Sequence, residues 1–475
     1  MKKLLIFALG TLLLASCSSN NGELVGIYSR AWKDPKPYGM MLIPRGSFTM
    51  GPNDQDANWA MNSQTKTVSI DAFWMDETEI TNGEYRQFVV YVRDSIVRER
   101  LADPAFGDDE SFKITMDKKG NELETPVLNW NKSIPWKKYN EDQGRAIQSM
   151  YYSGYDATQL VPQLDATILN YKYIWVDYRQ AALKENKFNA ILGRYDRSTE
   201  GLGTTKDSVD VMIIKDTTYN LATGGLENKT VYRELARRGD FIQTKIVNVY
   251  PDTLCWIRDF TYAYNEPYMH MYFSHPGYGQ YPVVGVTWEQ AVAFCDWRTR
   301  TYNMALIRGG NPTVQEYRLP TEGEWEYAAR GGRDFAMYPW GGQYIRDMKG
   351  CFLANFKPLR GNYGVDGFGI TAPAGAVYPP NNYGLYNMAG NVAEWTGSAY
   401  DKSTPTFVHD MNPQYQYNAK STDNIIRTRK VVKGGSWKDV GAFLQCGVKT
   451  YEYQTEARSY IGFRCVRSHI ETGFR

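Results

Sequence analysis

The sequence predicts an α+β fold that is rich in loops and has few long regular elements. Three capping boxes begin at Thr81, Thr287 and Thr321, and each precedes apolar residues at helical spacing. Short segments with period-two alternation between Met40 and Ile70 predict strands. From about residue 340 to 470, Gly, Asn, Pro and Tyr separate short apolar runs, which indicates turns between short strands.

The first predicted helix covers about 82 to 100, and the second and third begin after Thr287 and Thr321. Each helix carries apolar residues three or four positions apart, which is the spacing of one helical face. The residues expected to face the core are Tyr85, Phe88, Val89, Val92, Ile96, Ala291, Phe294, Cys295, Trp325, Ala328 and Ala329.

Residues 94–280 differ in composition from the segments on either side. They combine stretches rich in Lys, Asp and Glu with closely spaced tyrosines, as in Met150-Tyr151-Tyr152-Ser153-Gly154-Tyr155, and a strand is predicted at 245–249. We interpret this part as a large tyrosine-rich insertion. The aromatic residues are expected either to contact a partner protein or to pack the insertion onto the core.

The first residues of the chain have the pattern of a bacterial lipoprotein signal. Lys2-Lys3 precede an apolar run from Leu4 to Leu14, which is about half the length that a membrane-spanning helix needs. Cys17 stands where this run meets a polar segment. We therefore predict a signal peptide at 1–16, lipidation of Cys17 and a tether at 17–38; an ordinary signal peptide with a chance cysteine is the alternative.

Composition excludes some classes of protein. The 475 residues are 43% hydrophobic and 22% charged, which is ordinary for a globular protein. Removing Lys2 and Lys3 with the signal peptide leaves 52 basic residues against 52 acidic ones, so a nucleic-acid partner is not expected. The five cysteines after Cys17 are too few for a disulfide scaffold.

Five segments together resemble the formylglycine-generating enzyme family, also called sulfatase-modifying factors. The segments are Gly46–Gly51, Pro282–Trp288, Arg318–Gly332, Gly384–Trp395, and the C-terminal pair Val432–Trp437 with Ile461–Cys465. The resemblance implies the family's fold, a variant of the C-type lectin architecture. The fold would be split between 39–93 and 281–470 by the insertion.

The resemblance also implies a copper site, and here the sequence departs from the family. Enzymes of the family bind copper through two thiolates, two and seven residues after the Gly-Gly-Ser-aromatic turn. In this chain those positions are Asp439 and Leu444. Cys446 lies nearby, but we expect it to pack inward on the following strand. Because Cu(I) prefers soft sulfur ligands, no copper site and no oxidase activity are expected.

Two structural calcium sites are implied by the same resemblance. The first would consist of the side chains of Asn355 and Asp366 with the carbonyls of Phe356 and Phe368. The second would consist of the side chains of Asn387 and Glu394 with the carbonyls of Gly390 and Val392. Oxygen ligands in irregular geometry suit calcium; the alternative is that these Asn, Asp and Gly residues only form turns.

The family further implies a disulfide between Cys295 and Cys465. Cys255, Cys351 and Cys446 would then remain as buried thiols. Relatives that use iron carry a histidine-rich helical domain, whereas this chain has only four histidines. His270 and His275, five residues apart, are a weak metal signal and are more simply interpreted as two histidines in an aromatic loop.

A narrower resemblance, to the GldK/PorK-type lipoproteins, covers nearly the whole chain. It rests on the lipidation signal, Gly22–Gly26, Pro37–Met40, Met75–Asn82, Tyr85–Phe88 and the long insertion. It implies an outer-membrane lipoprotein that faces the periplasm and belongs to the type IX secretion and gliding motility machinery. Such proteins assemble in a ring with a GldN/PorN-type partner. An oxidoreductase or maturase and a glycan-binding lipoprotein remain as alternatives.

Overall fold

A computed structural model describes residues 34–52, 64–116, 120–152, 163–176, 188–189, 194–195, 212–220, 225–233, 241–358, 364, 367–375, 377–419 and 423–470. The helices are α1 (Asn82–Leu101), α2 (Glu141–Gln148), α3 (Cys255–Asp259), α4 (Glu266–Met271), α5 (Trp288–Arg308), α6 (Glu322–Arg330) and α7 (Thr404–Phe407). The strands are β1 (Met40–Ile43), β2 (Gly46–Met50), β3 (Lys66–Ile70), β4 (Phe73–Asp76), β5 (Lys113–Met116), β6 (Glu122–Leu128), β7 (Asn170–Val176), β8 (Phe188–Asn189), β9 (Arg194–Tyr195), β10 (Met212–Asn220), β11 (Gly225–Arg233), β12 (Ile242–Asn248), β13 (Tyr317–Arg318), β14 (Ala393–Ala399), β15 (Arg429–Lys433), β16 (Thr450–Tyr453), β17 (Ile461–Gly462) and β18 (Val466–Ser468).

The three predicted helices are confirmed as α1, α5 and α6. Each begins with a complete capping box, in which the threonine side chain accepts from the third helical N–H and the Glu or Gln side chain accepts from the threonine N–H. This reciprocal arrangement satisfies two backbone donors that the helix itself leaves open. The predicted core faces are buried, except that Ile96 is only partly covered.

Two four-stranded sheets are present among the described residues, and one of them joins strands from both halves of the chain. One has the order β1-β4-β18-β13 and the other has the order β16-β15-β14-β17. Strands β17 and β18 follow each other closely but belong to different sheets, so the link Phe463-Arg464-Cys465 connects the two. The other described strands form two-stranded pairs, including the β7–β12 pair and the β5–β6 hairpin.

Short strands leave the loops without a hydrogen-bonding ladder, and buried ion pairs supply part of the missing support. Glu326 on α6 accepts from Arg330 at 2.8 Å, from Lys433 at 3.0 Å and from the Gly51 N–H at 2.8 Å. Burial alone would raise the pKa of Glu326, but the charges of Lys433 and Arg330 outweigh it and hold that pKa below its usual value. Three distant segments are thereby joined at one carboxylate.

The chain divides into two units. Residues Pro37–His469 form the unit that contains all the elements above. The other comprises Met1–Lys36 and Ile470–Arg475, of which residues 34–36 and 470 are described. Within the described ranges, no helix combines the length and the apolar character that crossing a membrane requires.

Replacing Arg464 with Met is expected to lower the free energy of unfolding by about 3–5 kcal/mol, because it leaves the buried Glu394 carboxylate without its cation. Arg145→Met is the matched control, since Arg145 forms an exposed pair with Asp142 and should change stability by no more than about 0.5 kcal/mol. Chemical denaturation followed by tryptophan fluorescence measures both. Equal losses in the two variants would contradict the assigned role of Arg464.

Candidate functional site

The Gly434-Gly435-Ser436-Trp437 turn packs against the loop that connects Asn387 to β14. The Gly390 N–H donates to the Gly434 carbonyl at 3.0 Å, and the Trp437 N–H donates to the Asn391 carbonyl at 2.9 Å. Gly434 and Gly435 have φ of 92° and 66°, which favours glycine. The position of the family's copper site and the predicted calcium loop therefore form one continuous structure.

Asp439 and Leu444 have structural contacts at the two positions where the family places copper ligands. One oxygen of Asp439 accepts from the Ser436 N–H at 3.0 Å and from its hydroxyl at 2.6 Å, and the other accepts from Lys438 at 2.7 Å. Leu444 is fully buried among apolar side chains that include Tyr338 and Phe356. The carboxylate fixes the turn, and the aliphatic side chain fills the core.

The loop that holds the second predicted calcium site has an unusual backbone. Asn387, Gly390 and Asn391 all have positive φ, of 53°, 79° and 62°. Gly390 lies so close to Asn355 that an added Cβ would be 2.4 Å from the Asn355 carbonyl oxygen. The structure thus brings residues of both predicted sites into contact across this loop.

Glu394 lies on β14 and is enclosed by donors. Its oxygens accept from Arg464 at 2.6–2.9 Å and from the Trp325 indole N–H at 2.7 Å. Arg464 also donates to the carbonyls of Asp76 and Tyr386, at 3.1 and 2.9 Å. The guanidinium of Arg464 therefore neutralises the Glu394 carboxylate without a metal ion.

Glu79 is a second buried carboxylate that the sequence analysis did not single out. It accepts from the side-chain amides of Asn387 and Asn391, at 3.1 and 2.9 Å. Burial, reinforced by the charge of Glu394 and opposed by Arg464, raises the pKa of Glu79 to about 7. The sequence signal that could have identified Glu79 is its place in the Met75–Asn82 segment, which carries part of the narrower resemblance.

The first predicted site is described only in part. The Asn355 amide donates to the Ile370 carbonyl at 2.6 Å, and the Asn355 carbonyl accepts from the Asn391 N–H at 2.8 Å. Phe356 is buried and Phe368 is partly exposed. Asp366 lies outside the described residues, so this carboxylate ligand stays a prediction.

Two buried carboxylates, Glu79 and Glu394, lie at the second predicted calcium site. Glu79 and Glu394 share a single guanidinium, that of Arg464, and in the described part of the chain no lysine or arginine forms an ion pair with Glu79. An ionised Glu79 would leave one negative charge buried, and such charges are paired or coordinate metals. Within the same described part, no group of three or more His, Cys, Asp or Glu side chains could hold a metal, so backbone carbonyls and amides would have to contribute.

Cys295 on α5 and Cys465 before β18 are both buried, and their sulfur atoms lie 3.4 Å apart as free thiols. Burial raises the pKa of the Cys465 thiol, and the hydrogen bond with Cys295 raises it further. The fold brings together the two residues of the predicted disulfide, and the bond itself stays a prediction.

The prediction that Cys255, Cys351 and Cys446 are all buried is wrong for Cys351. Cys255 and Cys446 are buried, whereas Cys351 is exposed. Cys351 ends a surface turn in which its N–H donates to the Asp347 carboxylate at 2.8 Å and its carbonyl accepts from the Asp347 N–H at 2.9 Å. The turn needs the backbone of this residue and leaves the side chain at the surface.

The histidines do not form a metal centre in the described residues. His275 Nδ1 accepts from the Gly277 N–H at 3.0 Å and caps a short 3₁₀ turn, while His270 lies in α4. The interpretation as loop histidines is therefore wrong for His270, which lies in a helix, while His275 belongs to a turn. Cys17, the predicted lipidation site, lies outside the described residues.

Comparison with known families identifies one matching sequence profile. The Sulfatase-modifying factor enzyme 1-like domain matches residues 29–154 and 256–469. The unmatched stretch between the two matched segments, 155–255, falls within the predicted insertion 94–280, and the wider limits of that insertion stay a prediction.

Curated relatives include proteins with and without enzyme activity in their names. The formylglycine-generating enzyme of Mus musculus is 35% identical over 201 residues, which are 40% of this chain and 45% of the relative. The inactive C-alpha-formylglycine-generating enzyme 2 of Mus musculus is 35% identical over 192 residues, which are 39% of this chain and 49% of the relative. The chain spans about half the length of the curated relatives it matches.

Among solved structures, PvdO from Pseudomonas aeruginosa is similar with a TM-score of 0.42 and 15% sequence identity, over 90% of this chain and 94% of that chain. Similarity at this level supports no inference about function.

Chelating calcium is expected to lower the melting temperature by a few degrees. An ion present at a hundred times its dissociation constant stabilises the folded state by about 2.7 kcal/mol. Because the unfolding entropy of a large chain is high, losing this free energy shifts the melting temperature by only a few degrees. Asn387→Ala should reduce the response to chelator, whereas Asn382→Ala, in the same segment but outside the predicted ligand set, should keep it. Unchanged melting, together with no metal in elemental analysis, would contradict the calcium sites.

A disulfide between Cys295 and Cys465 would close a loop with a sequence separation of 170 residues. In the chain-entropy model such a bond stabilises by about 4–5 kcal/mol, so reductant should lower the melting temperature of the wild-type protein. Cys295→Ala should remove the response and Cys446→Ala should preserve it. A non-reducing peptide map that recovers both peptides with free thiols would contradict the pairing.

Proposed function

The chain belongs to the sulfatase-modifying factor enzyme 1-like family, and from this premise we propose that it is a non-catalytic structural lipoprotein of the type IX secretion and gliding motility machinery. The family match confirms the predicted sulfatase-modifying factor-like domain. The proposal concerns what this chain does with that fold.

One observation carries the non-catalytic part of the proposal. Asp439 and Leu444 occupy the positions of the family's copper ligands, and both side chains are engaged in other contacts. A carboxylate and an aliphatic group cannot replace two thiolates for Cu(I). Cys446 offers no substitute, because a single buried thiol cannot supply the two sulfur ligands of the family's copper site.

The relatives alone do not decide between an enzyme and a structural protein. Mouse proteins named as a formylglycine-generating enzyme and as an inactive one are both 35% identical to this chain. The choice between an enzyme and a structural protein therefore rests on the residues at the copper positions. An enzyme of this family would need two sulfur ligands there, whereas a structural role needs only the surrounding fold.

The proposed location and partners follow from the N-terminal pattern and the narrower resemblance. Acyl chains on Cys17 would hold the protein at the outer membrane, where it faces the periplasm. There it would form a ring with a GldN/PorN-type partner, and confinement to a surface would raise the effective concentration of both. Calcium would stiffen the loops that face neighbouring subunits.

Affinity purification of the lipidated full-length chain from membranes, followed by mass spectrometry, tests the proposal. We expect a GldN/PorN-type protein to co-purify in a stable ratio, and we expect Cys17→Ala to reduce its recovery because the tether is lost. Recovery of the chain without any secretion or motility component would contradict the proposed machinery.

The enzyme alternative has its own readout. The purified chain should not take up oxygen with a cysteine-containing peptide after copper is added, while the formylglycine-generating enzyme of Mus musculus serves as the positive control. Copper-dependent oxygen uptake by this chain would overturn the non-catalytic assignment.

A further inference from the structure

Lys430 is a fully buried lysine on β15. Its side-chain nitrogen lies 3.7 Å from the ring centroid of Trp288 and donates to the Tyr417 carbonyl at 2.6 Å. Among the described residues, no carboxylate forms an ion pair with Lys430, although lysines are almost never fully buried unless they are paired. A charged Lys430 therefore lacks the anion that its position calls for.

Glu289, at the start of α5, is the carboxylate whose charge acts on Lys430, and it already has other partners. It forms an ion pair with Lys245 on β12 and accepts from the Gln454 side-chain amide at 3.1 Å. The same amide donates to the Ala419 carbonyl at 3.1 Å, two residues after the carbonyl that accepts from Lys430. One polar cluster thus contains two lysines and a single carboxylate.

The other charged and titratable groups around this cluster are engaged elsewhere. Glu452 lies opposite Lys430 on β16, but it accepts from Arg458 at 2.8 Å. Burial, and then the charge of Glu289, raises the pKa of Tyr173, which therefore stays neutral. The remaining groups are Arg429, which lies over the ring of Tyr451, and Tyr417, whose hydroxyl donates to Asp423.

The ion pair of Lys245 helps to dock the β7–β12 pair on α5. The Tyr171 hydroxyl also donates to Asp296, at 2.8 Å, and the Gln290 amide donates to the Asn248 carbonyl at 2.9 Å. Of these three contacts, only the first joins opposite charges. It is therefore the contact that a new charge nearby would alter.

The charge of Lys430 changes close to neutral pH. Burial lowers its pKa, the charge of Lys245 lowers it further and the charge of Glu289 opposes both, which gives a value of about 7. Because an unfolded lysine has a higher pKa, the folded state gains stability as the pH rises above about 7 and gains none from this group below it. Acidification therefore creates a second ammonium beside Glu289.

We propose that Lys430 is a proton-operated switch that competes with Lys245 for Glu289 and thereby controls the docking of the β7–β12 pair on α5. While Lys430 is neutral, Glu289 pairs with Lys245 and the strands are docked. Once Lys430 is charged, Glu289 turns to it, because opposite charges attract more strongly in the interior than near solvent. Lys245, whose side chain is 32% exposed, then returns to water.

The switch would control an apolar surface. Tyr173 on β7 and Val247 on β12 are buried in the docked state, and undocking would uncover them. Such a surface is the kind that other proteins contact. The inference does not depend on the proposed function, since it concerns the response of these strands to pH whatever their partner is.

Hydrogen–deuterium exchange of the full-length protein tests the switch. Protection factors, which are corrected for the intrinsic effect of pH on amide exchange, are compared at about pH 6 and about pH 8, on either side of the Lys430 pKa. In the wild type, the amides of β12 should be at least about fivefold less protected at the lower pH. Lys430→Met should abolish this difference, because methionine fills the same space beside Trp288 without a charge.

Lys449→Met is the matched control. Lys449 is also largely buried, but it has its own carboxylate, Glu322, at 3.0 Å, so its loss should leave the pH response of β12 unchanged. Glu289→Gln should give low protection of β12 at both pH values, since neither lysine then has an acid to pair with.

Melting curves establish that each variant is folded, and Glu289→Gln alone decides the matter if Lys430→Met is not. Equal protection of wild-type β12 at the two pH values would overturn the proposal. So would a wild-type pH response in Lys430→Met or in Glu289→Gln.

Discussion

The ion pair between Arg464 and Glu394 is the interaction on which the rest of the structure depends. Arg464 lies in the link between β17 and β18, where the chain passes from one four-stranded sheet to the other. Its guanidinium reaches Glu394 on β14, the carbonyl of Asp76 at the end of β4 and the Tyr386 carbonyl. Because Arg464 and Glu394 are both fully buried, each must find its partners inside the protein. One side chain thus fixes the relative positions of both sheets and the Asn387–Asn391 loop.

The helices could be predicted from the sequence, and the contacts of Arg464 could not. A capping box and an apolar face are local patterns, so Thr81, Thr287 and Thr321 mark helix starts without knowledge of the fold. Arg464 and Asp76 are 388 positions apart, and no local pattern links them. Helix starts can therefore be located from local sequence patterns, whereas contacts between distant residues become visible only in the folded chain.

At the candidate site, too, some features could be predicted from the sequence and others only from the structure. The resemblance pointed to Asn387 and Glu394, but it did not show that Glu394 is already neutralised by Arg464. Glu79, which is the carboxylate left over, is distant in sequence and was missed. Cys351 was expected to be one of the buried thiols left by the Cys295–Cys465 pairing, yet its backbone forms a surface turn. The type of a residue predicts how buried it is on average, whereas its contacts in the fold determine how buried it is in this protein.

The copper positions could change without loss of the fold because the frame does not depend on them. The sheets are joined through Arg464, and β2, α6 and β15 are joined through Glu326, so neither connection uses the side chain of Asp439 or Leu444. Asp439 instead caps the turn through Ser436, and Leu444 adds apolar contacts beneath it. Both residues therefore add contacts to the loop that contains the two predicted copper positions. Such order would favour the structural role that we propose, since a subunit interface gains affinity when its loops are ordered before association.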